Sequence, residues 1–208
     1  MAQSRQAEPS AAQPLSPAQT ALFDTPHLAN VTRPETLLYA YRRTGPGPFT
    51  DKIAVHVKKN NADGSKAVAV DYLTGDHRVP FPPLEHFRGN PLFMLVLEHD
   101  VSAMNQALGM SKAYFRNRIR DAFLTATVTE TTRTIDGRTA PTREVTMTPF
   151  AHEDRLARIP SLQAKTYRFV LDDQVPGVLA EIQVDTPEDP ALHAPALSEQ
   201  ITFAGVEP

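Results

Sequence analysis

Apolar and polar residues alternate with a period of two along much of the chain, which is typical of β-strands that bury one face. In the first third the pattern covers residues 36–43, 52–58 and 68–72, and the segment 61–64 contributes Asn, Asp and Gly. Those residue types favour tight turns. This part of the chain therefore predicts three neighbouring antiparallel strands.

The same alternation returns in the second half of the chain. Residues 127–134 and 142–149 flank Asp136-Gly137, a dipeptide that strongly favours a hairpin. Three further segments alternate in the same way: 167–171, 178–184 and 201–203. Seven or eight strands with one apolar face need a cover for that face, or a sheet that curls on itself.

Two helices are predicted between these groups of strands. Asn90 suits the N-cap of the first helix and Pro91 its first turn, and apolar residues then recur at spacings of three and four. Ser111 suits the N-cap of the second. The pattern predicts helices at 91–108 and 112–126, which are available to cover the apolar face of the sheet.

These elements together predict a mainly β, α+β fold: a curved antiparallel sheet or incomplete β-barrel covered by two inserted helices at about 90–126. The chain of 208 residues is long enough to bury one sizeable core. Residues 1–20 are rich in Ala, Gln, Ser and Pro and cannot bury enough surface to fold alone. We therefore expect a disordered leader at 1–20 and a single domain at 21–208.

Composition narrows the functional classes. The net charge is -3 with mixed signs and no basic block, so nothing indicates a nucleic-acid partner. The absence of cysteine excludes disulfides, thiol catalysis and thiolate metal sites. The apolar run 92–97 is far shorter than the roughly 20 residues of a transmembrane helix.

The second predicted helix carries an apolar stripe that Arg116 and Arg118 flank on opposite sides. Two interpretations stay open for these arginines: solvated side chains, or the rim of an apolar pocket that receives an anionic head group. The apolar residues of both helices are likewise either ordinary core or the wall of a ligand cavity. The predicted ligand-binding set is Phe93, Leu97, Met104, Phe115, Ile119, Arg116 and Arg118.

No motif indicates an enzyme. Consecutive helical positions point about 100° apart, so Glu98, His99 and Asp100 cannot converge as a triad, and we expect them to form the polar face of the first helix. The histidines lack a metal-ligand spacing, and no phosphate loop or nucleophile elbow occurs. We expect no catalytic residues, no metal site and no cofactor.

The order of strands and helices resembles that of the periplasmic lipoprotein-carrier family typified by LolA, and so does the helix start at 89–95, Gly-Asn-Pro-Leu-Phe-Met-Leu. The resemblance implies an incomplete antiparallel barrel closed by helices, with acyl chains bound in its interior. The Arg-rich second helix and the stretch Pro80-Phe81-Pro82-Pro83 depart from the family pattern.

Two functions follow from these patterns. The first is a periplasmic or otherwise exported, non-enzymatic carrier that shields an apolar or amphipathic small molecule, such as a lipid, between sheet and helices. The second is a protein-protein interaction or assembly module of the cell envelope, which docks through the proline-rich segment 78–87 with Phe81 and Phe87. An internal cavity favours the first function, and a solid interior with an exposed apolar patch favours the second.

Overall fold

The computed structural model describes residues 14–135 and 137–208, in which nine strands form one open, curved antiparallel sheet. This confirms the fold class expected from the sequence. The strands are β1 Glu35–Thr44, β2 Phe49–Asn60, β3 Lys66–Tyr72, β4 Leu84–Phe87, β5 Thr127–Ile135, β6 Arg138–Met147, β7 Thr166–Leu171, β8 Leu179–Thr186 and β9 Leu197–Glu207.

The strands lie in the order β4, β3, β2, β1, β9, β8, β7, β6, β5. Strands that follow one another in the chain are therefore neighbours in the sheet, except β4 and β5, and the last strand, β9, pairs with β1 as well as with β8. Its pairing with β1 runs from Thr36 opposite Glu207 to Thr44 opposite Ser198. The two edge strands are β4 and β5, and the chain between them forms both long helices. These helices cross from one edge of the sheet to the other.

The described residues contain four helices: α1 Pro17–Gln19, α2 Leu92–Leu108, α3 Lys112–Ala122 and α4 Pro160–Gln163. α2 agrees with its predicted bounds to within one residue. Asn90 lies at its start as expected, because its Oδ1 accepts a hydrogen bond from the Leu92 N–H at 3.1 Å. Gly109 ends α2 in the left-handed conformation, with φ of 67°.

The second long helix is shorter than predicted. Ser111 caps α3, since its Oγ accepts a hydrogen bond from the Tyr114 N–H at 3.2 Å. The helix ends at Ala122 rather than at 126, because the chain turns there and then enters β5. The β-branched residues that follow the turn favour the strand over a longer helix.

Aromatic side chains fill much of the space between the sheet and the helices. Phe93 of α2 meets Phe169 of β7 edge to face at 5.9 Å between ring centroids, and Phe115 of α3 meets Phe150 in the same way at 5.9 Å. The largest fully buried aromatic residues are Tyr39, Tyr72, Tyr167, Phe93, Phe115, Phe150 and Phe169. The alternating strand residues contribute the sheet side of this core.

For three short segments the structure differs from the sequence-based prediction or does not describe every residue. The last part of the proline-rich segment 78–87, for which the sequence predicts no strand, forms β4 and pairs with β3. Asp136 of the predicted hairpin and residues 1–13 of the predicted leader lie outside the described residues. Within the leader, Pro17–Gln19 is helical and Ala18 is fully buried, so packed chain begins before residue 21.

Candidate ligand-binding groove on the helical pair

A groove of about 330 Å³ lies on the surface between α2, α3 and the short segment that follows α1. We call it the helical groove. Its lining residues are Gln19, Phe23, Met94, Leu97, Glu98, Val101, Arg116, Ile119, Arg120 and Phe123. Six of these ten side chains are apolar, and they form the floor and walls, while the charged residues belong to the two helices.

The third wall of the groove comes from the start of the described chain. Ser16 begins α1 with a capping box, in which its Oγ accepts a hydrogen bond from the Gln19 N–H at 3.1 Å. The same hydroxyl donates to the Phe123 carbonyl oxygen at the end of α3, at 2.6 Å. Phe23 then contacts the Phe123 ring edge to face, at 4.9 Å between centroids. These contacts hold residues 16–23 against the end of α3.

Two large apolar side chains of the groove are exposed to solvent. Phe23 is 43% exposed and Met94 is 41% exposed, although both lie beside residues that are almost fully buried, such as Leu97 and Ile119. A contiguous set of apolar side chains around a concave surface is unusual on a protein surface unless something binds there. The groove is therefore the candidate site.

An ion pair lies on the rim of the helical groove. The Arg116 guanidinium of α3 donates to both carboxylate oxygens of Glu98 on α2, with Nε distances of 2.9 and 3.1 Å. These hydrogen bonds lower the pKa of Glu98 and raise the pKa of Arg116, so both groups stay charged near neutral pH. The pair links the two helices across the groove. Arg120 of α3 is more exposed, and its Nε lies 3.9 Å from the Asp121 carboxylate.

Arg118 points away from the helical groove. Its guanidinium donates to Glu153 at 3.1 Å, and Glu153 also accepts the Tyr114 hydroxyl at 2.6 Å. Burial and the neighbouring Glu153 raise the pKa of Tyr114 to about 12, which keeps its hydroxyl protonated as a donor. Arg118 thus joins α3 to the segment after β6.

The seven predicted ligand-binding residues divide into two groups of three, and the seventh, Arg118, binds Glu153 outside the groove. Leu97, Ile119 and Arg116 line the helical groove. Phe93, Met104 and Phe115 are buried in the core. Sequence reasoning did not assign Phe23 to the site, because its place in the groove depends on a contact between segments about 100 residues apart in the chain, for which the local sequence carries no signal. The ligand role of all these residues stays a prediction.

The position of Asp100 in α2 differs from the sequence-based expectation. It was expected on the polar face with Glu98 and His99, but it is only 5% exposed. Its carboxylate accepts a hydrogen bond from Lys165 Nζ at 2.9 Å and another from the Tyr167 hydroxyl. Lys165 Nζ also donates to Thr186 Oγ1 at 3.2 Å. This buried cluster fixes the middle of α2, one wall of the groove, to β7 and β8.

A second buried contact holds the N-terminal end of α2. His27 Nε2 donates to the Ala21 carbonyl oxygen at 2.7 Å, and Nδ1 accepts the Asn90 N–H at 3.2 Å. The neutral ring with its proton on Nε2 satisfies both partners. Burial lowers the pKa of His27, which favours this neutral form. Asn90 Nδ2 in turn donates to the Tyr39 hydroxyl at 3.0 Å.

The described ranges show neither a helix long and apolar enough to cross a membrane nor a group of three or more His, Asp or Glu residues that could hold a metal ion. The two phenylalanines of the predicted docking segment are half-buried. Phe81 contacts the Tyr72 ring edge to face at 5.6 Å, and Phe87 lies in β4.

Comparison with known proteins finds two solved structures of low similarity to this chain. Neither the scan against protein-family models nor the search of the curated proteins finds a match. The search of solved structures finds lipoprotein LppX of Mycobacterium tuberculosis, with 14% identity, coverage of 86% of this chain and 90% of that chain, and a TM-score of 0.34. It also finds a LolA superfamily protein of Nitrosomonas europaea, with 12% identity, coverage of 91% and 92%, and a TM-score of 0.23.

TM-scores this low carry no argument about what the chain binds. What the chain binds is inferred from the helical groove.

Proposed function

We propose that this protein binds the apolar part of an amphipathic small molecule, such as a lipid, in the helical groove. The observation that carries the proposal is the pair of exposed side chains Phe23 and Met94 on a concave surface whose other apolar residues are buried. A ligand that covers both side chains removes apolar area from water, which is the main source of affinity for such molecules.

The size and charge of the groove favour a small amphiphile. Its volume of about 330 Å³ is at the low end of the roughly 300–1,000 Å³ typical of small-molecule sites. The rim pair of Arg116 and Glu98 is polar but balanced in charge. An apolar tail therefore meets a matching surface at the floor of the groove, and the balanced rim pair adds no net charge beside it.

This site lies on the outer side of the helices and not in the internal cavity that the first sequence-based hypothesis required. The exposed apolar patch that the alternative hypothesis required is present, but it is a concave surface of about 330 Å³, which fits a small molecule better than a protein partner. Buried aromatic side chains, among them Phe93 and Phe115, occupy the region between sheet and helices that the sequence-based hypothesis assigned to the ligand. A non-enzymatic role and an exported location belong to the proposal as inferences from the sequence.

The test is a titration of the purified protein with laurate and with dodecyl maltoside, both below their micelle concentrations, by calorimetry. Met94→Gln places a polar amide where the tail is expected. We expect affinity for both ligands to fall roughly fivefold or more, because about 1 kcal/mol of apolar burial is lost. The melting temperature should change little, since Met94 is exposed in the free protein.

Leu124→Gln is the matched control. Leu124 is also apolar and 56% exposed, but it does not line the groove. Its replacement should leave both affinities unchanged. Absence of binding to the parent protein, or equal weakening by the two variants, contradicts the proposal.

A further inference from the structure

A second depression of about 240 Å³ adjoins the helical groove at the N-terminal end of α2. Phe23 and Met94 line both concavities. The other residues around the second one are Leu22, His86, Phe87, Arg88, Gly89 and Asn90. The two concavities therefore meet at the exposed pair Phe23 and Met94, and a ligand can extend from one into the other.

The combined surface is long and narrow. Along α2 it extends from Asn90 to Val101, which at about 1.5 Å per residue is on the order of 16 Å. A single extended chain fits such a path and would contact Phe23 and Met94, which line both concavities.

Charges differ between the two ends of this path. At the α3 end, Arg116 binds both oxygens of Glu98, so its charge is already matched by a well-placed carboxylate, and the second arginine there, Arg120, lies 3.9 Å from the Asp121 carboxylate. The end at β4 has Arg88, which is exposed and donates to the Asp63 carbonyl oxygen at 2.6 Å.

The carboxylate nearest to Arg88 is only loosely paired with it. The closest oxygen of the Asp63 side chain is 3.6 Å from the Arg88 guanidinium. The other oxygen accepts the Ser65 N–H at 3.0 Å and the Ser65 hydroxyl at 2.6 Å. A guanidinium has five N–H donors, so Arg88 keeps donors for a ligand. The exposed His86 lines the same depression, so its imidazole ring offers a ligand a second nitrogen-containing group beside Arg88.

We propose that the depression around His86 and Arg88 is the head-group end of the site. It receives a carboxylate or phosphate head, while the single alkyl tail passes between Phe23 and Met94 and lies along α2 toward Val101. This inference rests on the proposed function and adds the chemical class and the direction of the ligand. It differs from the hypothesis drawn from the sequence, which placed the head group at Arg116 and Arg118.

Three amphiphiles with the same tail test the assignment: laurate, dodecyl phosphate and dodecyl maltoside. For Arg88→Gln we expect affinity for the two anionic ligands to fall about tenfold, because charge-assisted hydrogen bonds are lost, and affinity for dodecyl maltoside to stay within twofold. The ratio of anionic to neutral affinity is independent of the fraction of folded protein, so it also controls for partial unfolding. Arg88→Lys should recover part of the ratio.

Arg116→Gln and Arg120→Gln test the opposite end of the path, and Arg33→Gln is the matched control, since Arg33 is exposed and lines neither concavity. Each should leave the ratio within twofold of the parent. Inorganic phosphate alone should bind much more weakly than dodecyl phosphate, because the tail contributes most of the affinity; equal binding of the two overturns the assignment.

A selective loss of anionic affinity at Arg116 or Arg120 instead of Arg88 reverses the direction of the ligand and overturns the inference. The same holds if Arg88→Gln weakens all three amphiphiles equally. These results leave the proposed function intact, whereas no binding of any amphiphile to the parent protein refutes both.

Discussion

Replacing either member of the buried ion pair Asp100–Lys165 should strongly destabilise the fold. Asp100 is 5% exposed, Lys165 is 4% exposed, and Lys165 Nζ lies 2.9 Å from Asp100 Oδ1. Asp100→Ala leaves the ammonium group of Lys165 with Thr186 as its remaining partner, and it removes the acceptor of the Tyr167 hydroxyl. Breaking a buried pair in this way typically costs about 3–5 kcal/mol, because an uncompensated charge stays buried.

Tyr167 contributes to the cluster as a neutral donor. Burial raises the pKa of Tyr167 well above its usual range, and the Asp100 charge raises it further. The hydroxyl therefore stays protonated near neutral pH. After Lys165→Met, the Tyr167 hydroxyl still donates to the Asp100 carboxylate, but a single neutral donor does not compensate a buried charge. We therefore expect Lys165→Met to lower the free energy of unfolding about as much as Asp100→Ala.

Urea unfolding at neutral pH, followed by circular dichroism, measures both losses. With a slope of about 2 kcal/mol per M, each single variant should lower the midpoint by about 1.5–2.5 M. The double variant Asp100→Ala/Lys165→Met leaves neither charge in the interior. It should be more stable than the sum of the single losses predicts, by about 2–3 kcal/mol.

The exposed ion pair of Arg116 and Glu98 provides the control. Arg116→Gln should change the free energy of unfolding by no more than about 1 kcal/mol, because solvent screens this pair. The reasoning is refuted if the two single variants of the buried pair also lose less than about 1 kcal/mol, or if their losses simply add in the double variant. Either result means that the buried charges are not energetically coupled.

Two further predictions concern the segments around the site. Burial lowers the pKa of His27 below its usual 6.5, so the unfolded chain takes up a proton that the folded protein does not. The free energy of unfolding should therefore be lower at about pH 5.5 than at about pH 7.5, and His27 should contribute up to about 1.4 kcal/mol of this difference. His27→Gln should flatten the pH dependence of the free energy of unfolding. An unchanged pH dependence in this variant contradicts the role of His27. Gly177 has a φ of 75° and an added Cβ would lie 2.7 Å from a Leu37 methyl group, whereas Gly47 has a φ of 61° and open space. Gly177→Ala should thus destabilise by about 1–3 kcal/mol more than Gly47→Ala in the same urea assay, and equal losses would show that the interior accommodates the methyl group.

Much of the secondary structure could be predicted because it depends on local pattern. Alternation with a period of two located eight of the nine strands, and the caps Asn90 and Ser111 placed both helix starts. The short strand β4 escaped prediction because it has only two residue pairs with its neighbour and follows a proline-rich segment. Its pairing depends on the edge of β3.

The sequence by itself determined which face of each strand is apolar and that a helical pair lies between two groups of strands. Only the tertiary structure decided that β9 inserts between β1 and β8, that Asp100 is buried, and that Arg116 and Arg118 have carboxylate partners. It also brought Phe23 beside α3 through the contact of Ser16 with Phe123. The physical reason is that periodicity reports how one segment faces the core, whereas a groove and an ion pair depend on which distant segments pack together.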